Sequence, residues 1–274
     1  MEKSLTNTPK IHKPRSSFSI DQAQFVMVAI ALPLLILIAW EITTRMGLID
    51  ELFLPSLSDI TSELIRMINR GYAGNPLQKH ILISLRRVFI AFGAGTIIGV
   101  LLGLFMGYYR YVKAAFYLIT EILRPIPPLA FITLFILWFG IGELSKIMII
   151  FYAGCLIIVI NTIAGVQACP KEKILAAYTL GANDFDVFRL VIFPAALPSI
   201  FTGMRVALSV DFGILVAAEL LAGDVGIGYI IQDASVFFNV KALFVGIFLI
   251  GFFGVMSDLI LRFVSAKVIH WQGH

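Results

Sequence analysis

Three ionisable residues, Arg205, Asp211 and Glu219, stand within one apolar stretch at about 198–222, long enough to cross a bilayer. Carboxylates in such a setting suit ion pairing, proton or ion coupling, or recognition of a charged solute more readily than hydrolysis. At ~1.5 Å rise per residue, Arg205 and Glu219 lie roughly 21 Å apart along a helix and cannot pair with each other. Arg205 is expected near the inner end, satisfied by snorkelling or by a carboxylate or carbonyl, and Glu219 near the outer mouth. Asp211 falls mid-span, where a charge costs about 2.5–3.5 kcal/mol on insertion scales. Two readings of Asp211 stand: a neutral or hydrogen-bonded carboxyl paired with a neighbour such as Asn161, or a residue lining a solute pathway.

Other chemistry is sparse. No G-x-x-x-x-G-K-[ST] occurs, so no loop of this kind cradles nucleotide phosphates. Gly93-Ala-Gly95, Gly140-Ile-Gly142 and Gly226-Ile-Gly228 fit packing or turns better than a dinucleotide fingerprint. His12, His80, His270 and His274 show no metal-ligand spacing, and no Ser/His/Asp or Cys/His set converges. Glu121 and Arg124, three apart, read as a surface pair; alternatively Arg124, beside Pro125, Pro127 and Pro128, shapes a gate. Asp258 is expected to pair with Arg262, four residues on.

The elements that position these residues must be membrane helices. Apolar types make up 59% of 274 residues and charged types 14%, with a mean hydropathy of +0.94. A soluble domain holds roughly 45–50% apolar and about 25% charged residues, and disorder is excluded by the same numbers. Two cysteines, Cys155 and Cys169, make no disulfide framework. The net charge of +4 comes from bases flanking apolar runs, which points to lipid headgroups and insertion orientation and away from nucleic acid.

Six spans are predicted, at about 24–44, 88–109, 118–139, 147–167, 198–222 and 242–264. The uncharged run from Gln22 to Trp40 is too long for a cleavable signal core, so the first span is expected to stay as an anchor. Gly95, Gly99, Gly103 and Gly107 place small residues on one face of the second span, where another helix can approach closely. Lys3, Lys10, Lys13 and Arg15, together with Arg110, Lys113, Lys171, Lys173, Arg189, Arg262 and Lys267, assign the amino terminus and the 167–197 loop to the cytoplasm. The short outer loops then keep only Lys146 and Lys241. The outer segment 45–87 goes against this rule with Arg45, Arg66, Arg70, Lys79, Arg86 and Arg87, balanced in part by acids. Within it, 56–70 is predicted to form an amphipathic helix starting at Ser56-x-x-Asp59, with Leu57, Ile60, Leu64 and Ile68 on one face and Gly71 as its stop.

Residues 167–197 differ from their surroundings. Pro170 suits a first helical position, Gly181 a left-handed stop, and Asn183 or Asp184 the cap of a second helix with Phe185, Phe188 and Ile192 on one face. Pro194 and Pro198 are expected to break the chain before the next span. The product is a helix–turn–helix whose exposed rings call for a docking protein.

Ala176-Ala177-x3-Gly181-x9-Val191-x-Phe193-Pro194 resembles the EAA signature of membrane subunits of ATP-binding-cassette (ABC) importers, with Leu175 in place of the motif glutamate. Arg124-Pro-Ile-Pro-Pro, Trp138-Phe-Gly-Ile-Gly, Val216-Ala-Ala-Glu-Leu220, Gly226-Ile-Gly-Tyr229 and Trp271-Gln-Gly are similar to the nitrate/sulfonate/taurine branch, most of all to taurine permeases. The resemblance implies an all-α, six-helix type I (MetI-like) permease in the bacterial inner membrane, with both termini cytoplasmic. Residues 1–23 would form a cytoplasmic segment and 24–274 one permease domain. It implies partners: a second copy of the chain, two ATPase subunits that bind ATP and magnesium, and a periplasmic or lipid-anchored substrate-binding protein. This chain would hold no cofactor or metal of its own and catalyse nothing. Ala176, Ala177, Gly181, Ala182, Asp184, Phe185, Val191 and Pro194 would receive the ATPase, and Arg124, Asn161, Arg205, Asp211 and Glu219 are pathway or gate candidates. The small-molecule substrate is expected to be an organosulfonate such as taurine, whose ammonium a carboxylate at 211 could welcome. Nitrate, cyanate, bicarbonate and pyrimidine precursors are the alternatives. Asp211 and Glu219 would serve instead as coupling carboxylates in an ion-driven secondary transporter.

Overall fold

The structure is a computed structural model that describes residues 22–271. Lys3, Lys10, Lys13, Arg15, His12 and His274 lie outside the described residues, as does the expected cytoplasmic segment up to Asp21. The chain divides into two compact units, residues 1–57 and 58–274.

In the first unit, α1 (Gln22–Arg45) carries an apolar, lipid-ready surface and tolerates Pro33 in its interior. Its end is stapled to the segment that follows. Trp40 Nε1 donates to the Pro55 carbonyl at 3.0 Å, and Glu41 accepts the Leu57 N–H at 2.7 Å while pairing with Arg45 at 2.6 Å.

The second unit continues through α2 (Leu57–Arg70), α3 (Leu77–Tyr108), α4 (Arg110–Leu123), a 3₁₀ turn at Pro128–Phe131, α5 (Ile132–Phe139) and α6 (Glu143–Gln167). It then runs through α7 (Lys171–Thr179), α8 (Asp184–Val187), a π turn (Phe188–Ile192), α9 (Phe193–Ala222), α10 (Ile227–Val236) and α11 (Val240–Val268). No named strand occurs among the described residues. Five helices are long and apolar enough to cross a membrane, or six if a bent pair counts as one span.

The core of the unit is α6 packed against both α3 and α9. A single stripe on α3 runs His80, Ser84, Arg87, Ala91, Gly95, Gly99 and Gly103, all buried. The expected glycine ladder is therefore real, and its partner is α6. A Cβ on Gly103 would lie 2.5 Å from Thr162 Cβ, and one on Gly99 3.0 Å from Ile158. Without a hydrophobic drive between helices in lipid, this close backbone approach supplies the packing energy.

Four expectations change. The second span begins eleven residues early, at Leu77, because Arg87, which closes the apolar window in the sequence, is buried and paired. The third span is two helical pieces meeting at 89°, since Pro125, Pro127 and Pro128 remove backbone donors at the join. Pro194 and Pro198 do not break the chain; the π turn ends at Ile192, Pro194 stands in the first turn of α9, and Pro198 lies inside α9. A wider turn there leaves the ordinary i→i−4 ladder already interrupted, so the missing proline N–H is tolerated. Finally, Ile60 and Met67 form the buried face of α2, while Ile68 is exposed. Gly71 stops α2 at φ +74, as expected.

Gly103→Val should lower the thermal midpoint in detergent by the equivalent of about 1–3 kcal/mol, the usual range for overpacking. The same change at Gly93, which has open space around it, should move the midpoint far less.

Candidate functional site

Two regions of the second unit concentrate its polar and unpartnered features. The first is the 167–197 segment. Pro170 caps α7 one position earlier than expected, and the helix ends at Gly181, whose φ of +87 suits glycine. Asn183 then caps α8 with a reciprocal capping box: it accepts the Asp186 N–H at 2.9 Å, and Asp186 accepts the Asn183 N–H at 3.4 Å. Such a cap stabilises by roughly 1 kcal/mol and fixes the turn. Tyr178 donates to Asp184 at 2.8 Å across the same turn, a bond that holds the phenol above its ordinary pKa. Val187 and Ile192 are buried with Leu104 of α3, Val166 of α6 and Ala196 of α9. Ala177 and Ala182 pack on that cluster. The segment is thereby fastened to three helices and runs without a break into α9.

Its outer face is different. Ala176, Ala177, Val191 and Pro194, separated in sequence, line one shallow groove of about 510 Å³ with Lys173, Leu180, Leu190 and Trp271. Leu175 and Leu190 are exposed, and Leu180 is 88% exposed. Phe185 is exposed and is not among the residues lining the groove, and Phe188 is half-buried. A Cβ at Gly181 would meet open space, so glycine is called for there by the backbone conformation alone.

The second region lies at the far end of α9 and was not assembled from the sequence. Glu219, fully buried, accepts from Ser84 Oγ at 2.8 Å, from Arg87 Nη1 at 2.5 Å and from the Gly228 N–H at 2.7 Å. Arg87, 1% exposed, also donates to the Val225 carbonyl at 2.8 Å and pairs with Glu143 on α6. Ser84 accepts the Ile227 N–H at 2.8 Å. His80 accepts the Gly226 N–H through Nδ1 at 3.1 Å, which leaves Nε2–H to donate to the Tyr72 carbonyl at 3.2 Å. Glu219 is therefore an enclosed anchor, and its partner is Arg87. Gly226, at φ +143, starts α10, a helix the sequence reading lacks. Lys146 and Lys241, expected in outer loops, sit in the first turns of α6 and α11. Lys146 is buried 3.9 Å from Glu143, and Lys241 lies 3.4 Å from Asp59.

The remaining candidates separate. Of the three ways open to satisfy Arg205, the structure uses a carboxylate: Asp258 on α11, at 2.7 Å, which also binds Arg262 at 2.8 Å. Among the described residues no ion pair joins Glu121 to Arg124, and both are exposed. Asp211 does not pair with Asn161, whose amide donates to the Ile157 carbonyl of its own helix at 2.9 Å. Both Asp211 oxygens are buried without a hydrogen-bond partner, and both lie 2.7 Å from the position of a Cβ on Gly154. Asp211 is enclosed between α6 and α9 and has no exposed surface.

A family model for the binding-protein-dependent transport system inner membrane component matches residues 95–270. The chain belongs to that family. Over 265 residues the permease is 34% identical to the taurine transport system permease protein TauC of Escherichia coli, covering 96% of each chain. Over 266 residues it is 30% identical to the nitrate import permease protein NrtB of Synechocystis, covering 95% of each. Such relatives set it in the nitrate/sulfonate/taurine branch. The fold is that of an inward-facing structure of the MetNI methionine ABC transporter, at a TM-score of 0.57 and 20% identity over 71% of this chain and 94% of that one. The permease is thus an ABC importer subunit, a multi-pass inner-membrane transport component whose ATPase sits in separate chains. That membership displaces the ion-driven transporter reading.

Gly154→Ala should lower the thermal midpoint by the equivalent of about 1–3 kcal/mol, because the new methyl meets the Asp211 carboxyl. Adding Asp211→Ala should return the midpoint to wild type or above, since it removes both the clash and an unpartnered buried polar group. A Gly154→Ala midpoint equal to wild type would contradict this packing.

Proposed function

We propose that the permease carries a small organosulfonate, taurine foremost, into the cytoplasm by alternating access. Two copies of the chain line one pathway, two ATPase subunits that bind ATP and magnesium drive it, and a periplasmic or lipid-anchored binding protein delivers the solute. Both termini and the 167–197 segment face the cytoplasm, where Ala176, Ala177, Gly181, Ala182, Asp184, Phe185, Val191 and Pro194 seat the ATPase.

The observation that carries this reading is the groove. Four residues from the two ends of the EAA-like pattern meet there beside exposed leucines, and an apolar recess on a segment too polar to span needs a protein partner. The same segment continues through the π turn into α9, so a displacement of α7 and α8 by a moving partner is passed to a membrane helix. A ligand shifts such an equilibrium only by its differential affinity for the two states; ATP binding to the partner supplies that difference. Leu175 offers no charge to the partner where the motif has glutamate, so the docking contact here is apolar.

Taurine rests on the similarity to TauC over nearly the full chain. Nitrate is the second reading, and the comparable coverage of NrtB favours it. Proteoliposomes containing the permease with its ATPase and binding protein distinguish them. ATP-dependent accumulation of labelled taurine, unaffected by excess nitrate, is expected. Leu180→Glu places a charge on the exposed wall of the groove without touching the core. It should cut uptake at least ~tenfold, about 1.4 kcal/mol of lost docking, while the thermal midpoint stays put. Uptake by the permease alone, or full uptake by the Leu180→Glu variant, would overturn the reading.

A further inference from the structure

Of the lysines and arginines among the described residues, Arg87 and Lys146 are the ones that are buried. Arg87 spends its guanidinium on Glu143, Glu219 and the Val225 carbonyl. Lys146 has no such set. Its side chain is 4% exposed, has no hydrogen bond among the described residues, and lies 3.9 Å from Glu143. That carboxylate already accepts two hydrogen bonds from Arg87 and one from Arg86. Of the other acids whose charge reaches Lys146, Glu219 is taken by Arg87 and Asp224 is exposed. Lys146 also stands in the first turn of α6, where the positive end of the helix dipole opposes a cation. Desolvation and dipole both make this a costly place for an ammonium, and a cation held there at cost calls for an anion.

Lys146 lines a small cavity of about 10 Å³ whose walls include Ile132 and Ile136 of α5 and Ala218 and Ala222 of α9. Ser145 shares the cavity but already donates its hydroxyl to the Gly142 carbonyl at 3.0 Å, so the charged donor there is Lys146. A void of that size has room for about one water and none for an oxyanion. The cover that must move is α5. With its preceding 3₁₀ turn it is bounded by the 89° bend at the prolines and by Gly140 at φ +78, and breaks at element ends absorb the backbone change when a short helix shifts. We infer that Lys146 recognises the singly charged oxyanion group of the solute, a sulfonate or a nitrate, when α5 withdraws from this cavity. One ammonium among apolar walls matches one negative charge. The inference deepens the proposed function and rests on its anionic group; in the orientation proposed there, the cavity lies at the outer end of α9, where delivered solute enters first.

Proteoliposomes holding the permease with its ATPase and binding protein are supplied with ATP and tested for uptake of labelled taurine and labelled nitrate. For the solute that wild type accumulates, Lys146→Met should cut uptake at least ~tenfold, the scale of one charge-assisted hydrogen bond. Its ATPase subunits should still co-purify, unlike those of Leu180→Glu. Its thermal midpoint should equal or exceed that of wild type, since no hydrogen-bonded partner loses its mate. Lys146→Gln, which keeps a polar head without the charge, should lose uptake to the same extent. Full uptake by either variant would overturn the inference and leave the proposed function standing. So would a Lys146→Met midpoint well below wild type, which would mark the lysine as a structural partner of Glu143. A wild-type complex that accumulates neither solute would overturn the proposed function and the inference with it.

Discussion

A guanidinium shut away from water holds one end of this permease together. Arg87 joins α3 to Glu143 on α6, to Glu219 on α9 and to the Val225 carbonyl ahead of α10. In a medium that offers no water to a stray polar group, each donor and acceptor must find its partner within the protein. Removing charges from water costs several kcal/mol per ion, and only such complete satisfaction returns it. Ser84 and the Gly228 N–H complete the set around Glu219, and Ser84 in turn accepts the Ile227 N–H. The polar cluster and the glycine ladder occupy the same stripe of α3, one above the other, so charge pairing at one end and close backbone packing along the rest act on a single helix face.

That arrangement gives the two ends of α9 different characters. At the Glu219 end the helix is pinned to its neighbours by buried, directional bonds. At the other it emerges from a π turn, a capped short helix and a glycine turn, and carries an open apolar groove on its outer side. On the proposed reading a partner would grip that end and α9 would act as a lever, with stiffness supplied by the capping box and the buried Val187 and Ile192. Arg205, midway, reaches across to Asp258 on α11 and so ties the two helices together.

Much of this was legible in the residue order. The glycine ladder, the Gly181 turn and a cap at Asn183 or Asp184 follow from local spacing, whereas the carboxylate that satisfies Arg205 lies 53 positions away on α11. The Arg87–Glu219 pair is decided by two residues 132 positions apart, and in the sequence Arg87 reads only as one base among several before an apolar run. The signal that could have found it is the cost itself: a carboxylate within an apolar stretch calls for a partner, Arg205 is excluded by distance, and Arg87, at the edge of an apolar window, is one of the bases on the same side. Asp211 shows the opposite failure. Asn161 was a reasonable partner by type, yet its amide is taken by its own helix and the carboxyl lies instead against Gly154, a backbone contact that no pattern of polar residues announces. The third span was given as a single segment because apolar content sets length; the 89° break at the three prolines is a matter of direction that such content does not report.

The central claim is that a buried, fully partnered charge pair fixes one end of the helical core. It is tested most directly by a double-mutant cycle on thermal stability in detergent. Arg87→Met and Glu219→Gln should each destabilise by about 3–5 kcal/mol, the loss expected when one buried ion is left without its mate. The double variant should be markedly more stable than the sum of the two losses implies. Single variants that melt with wild type, or a double variant whose loss equals that sum, would contradict the account.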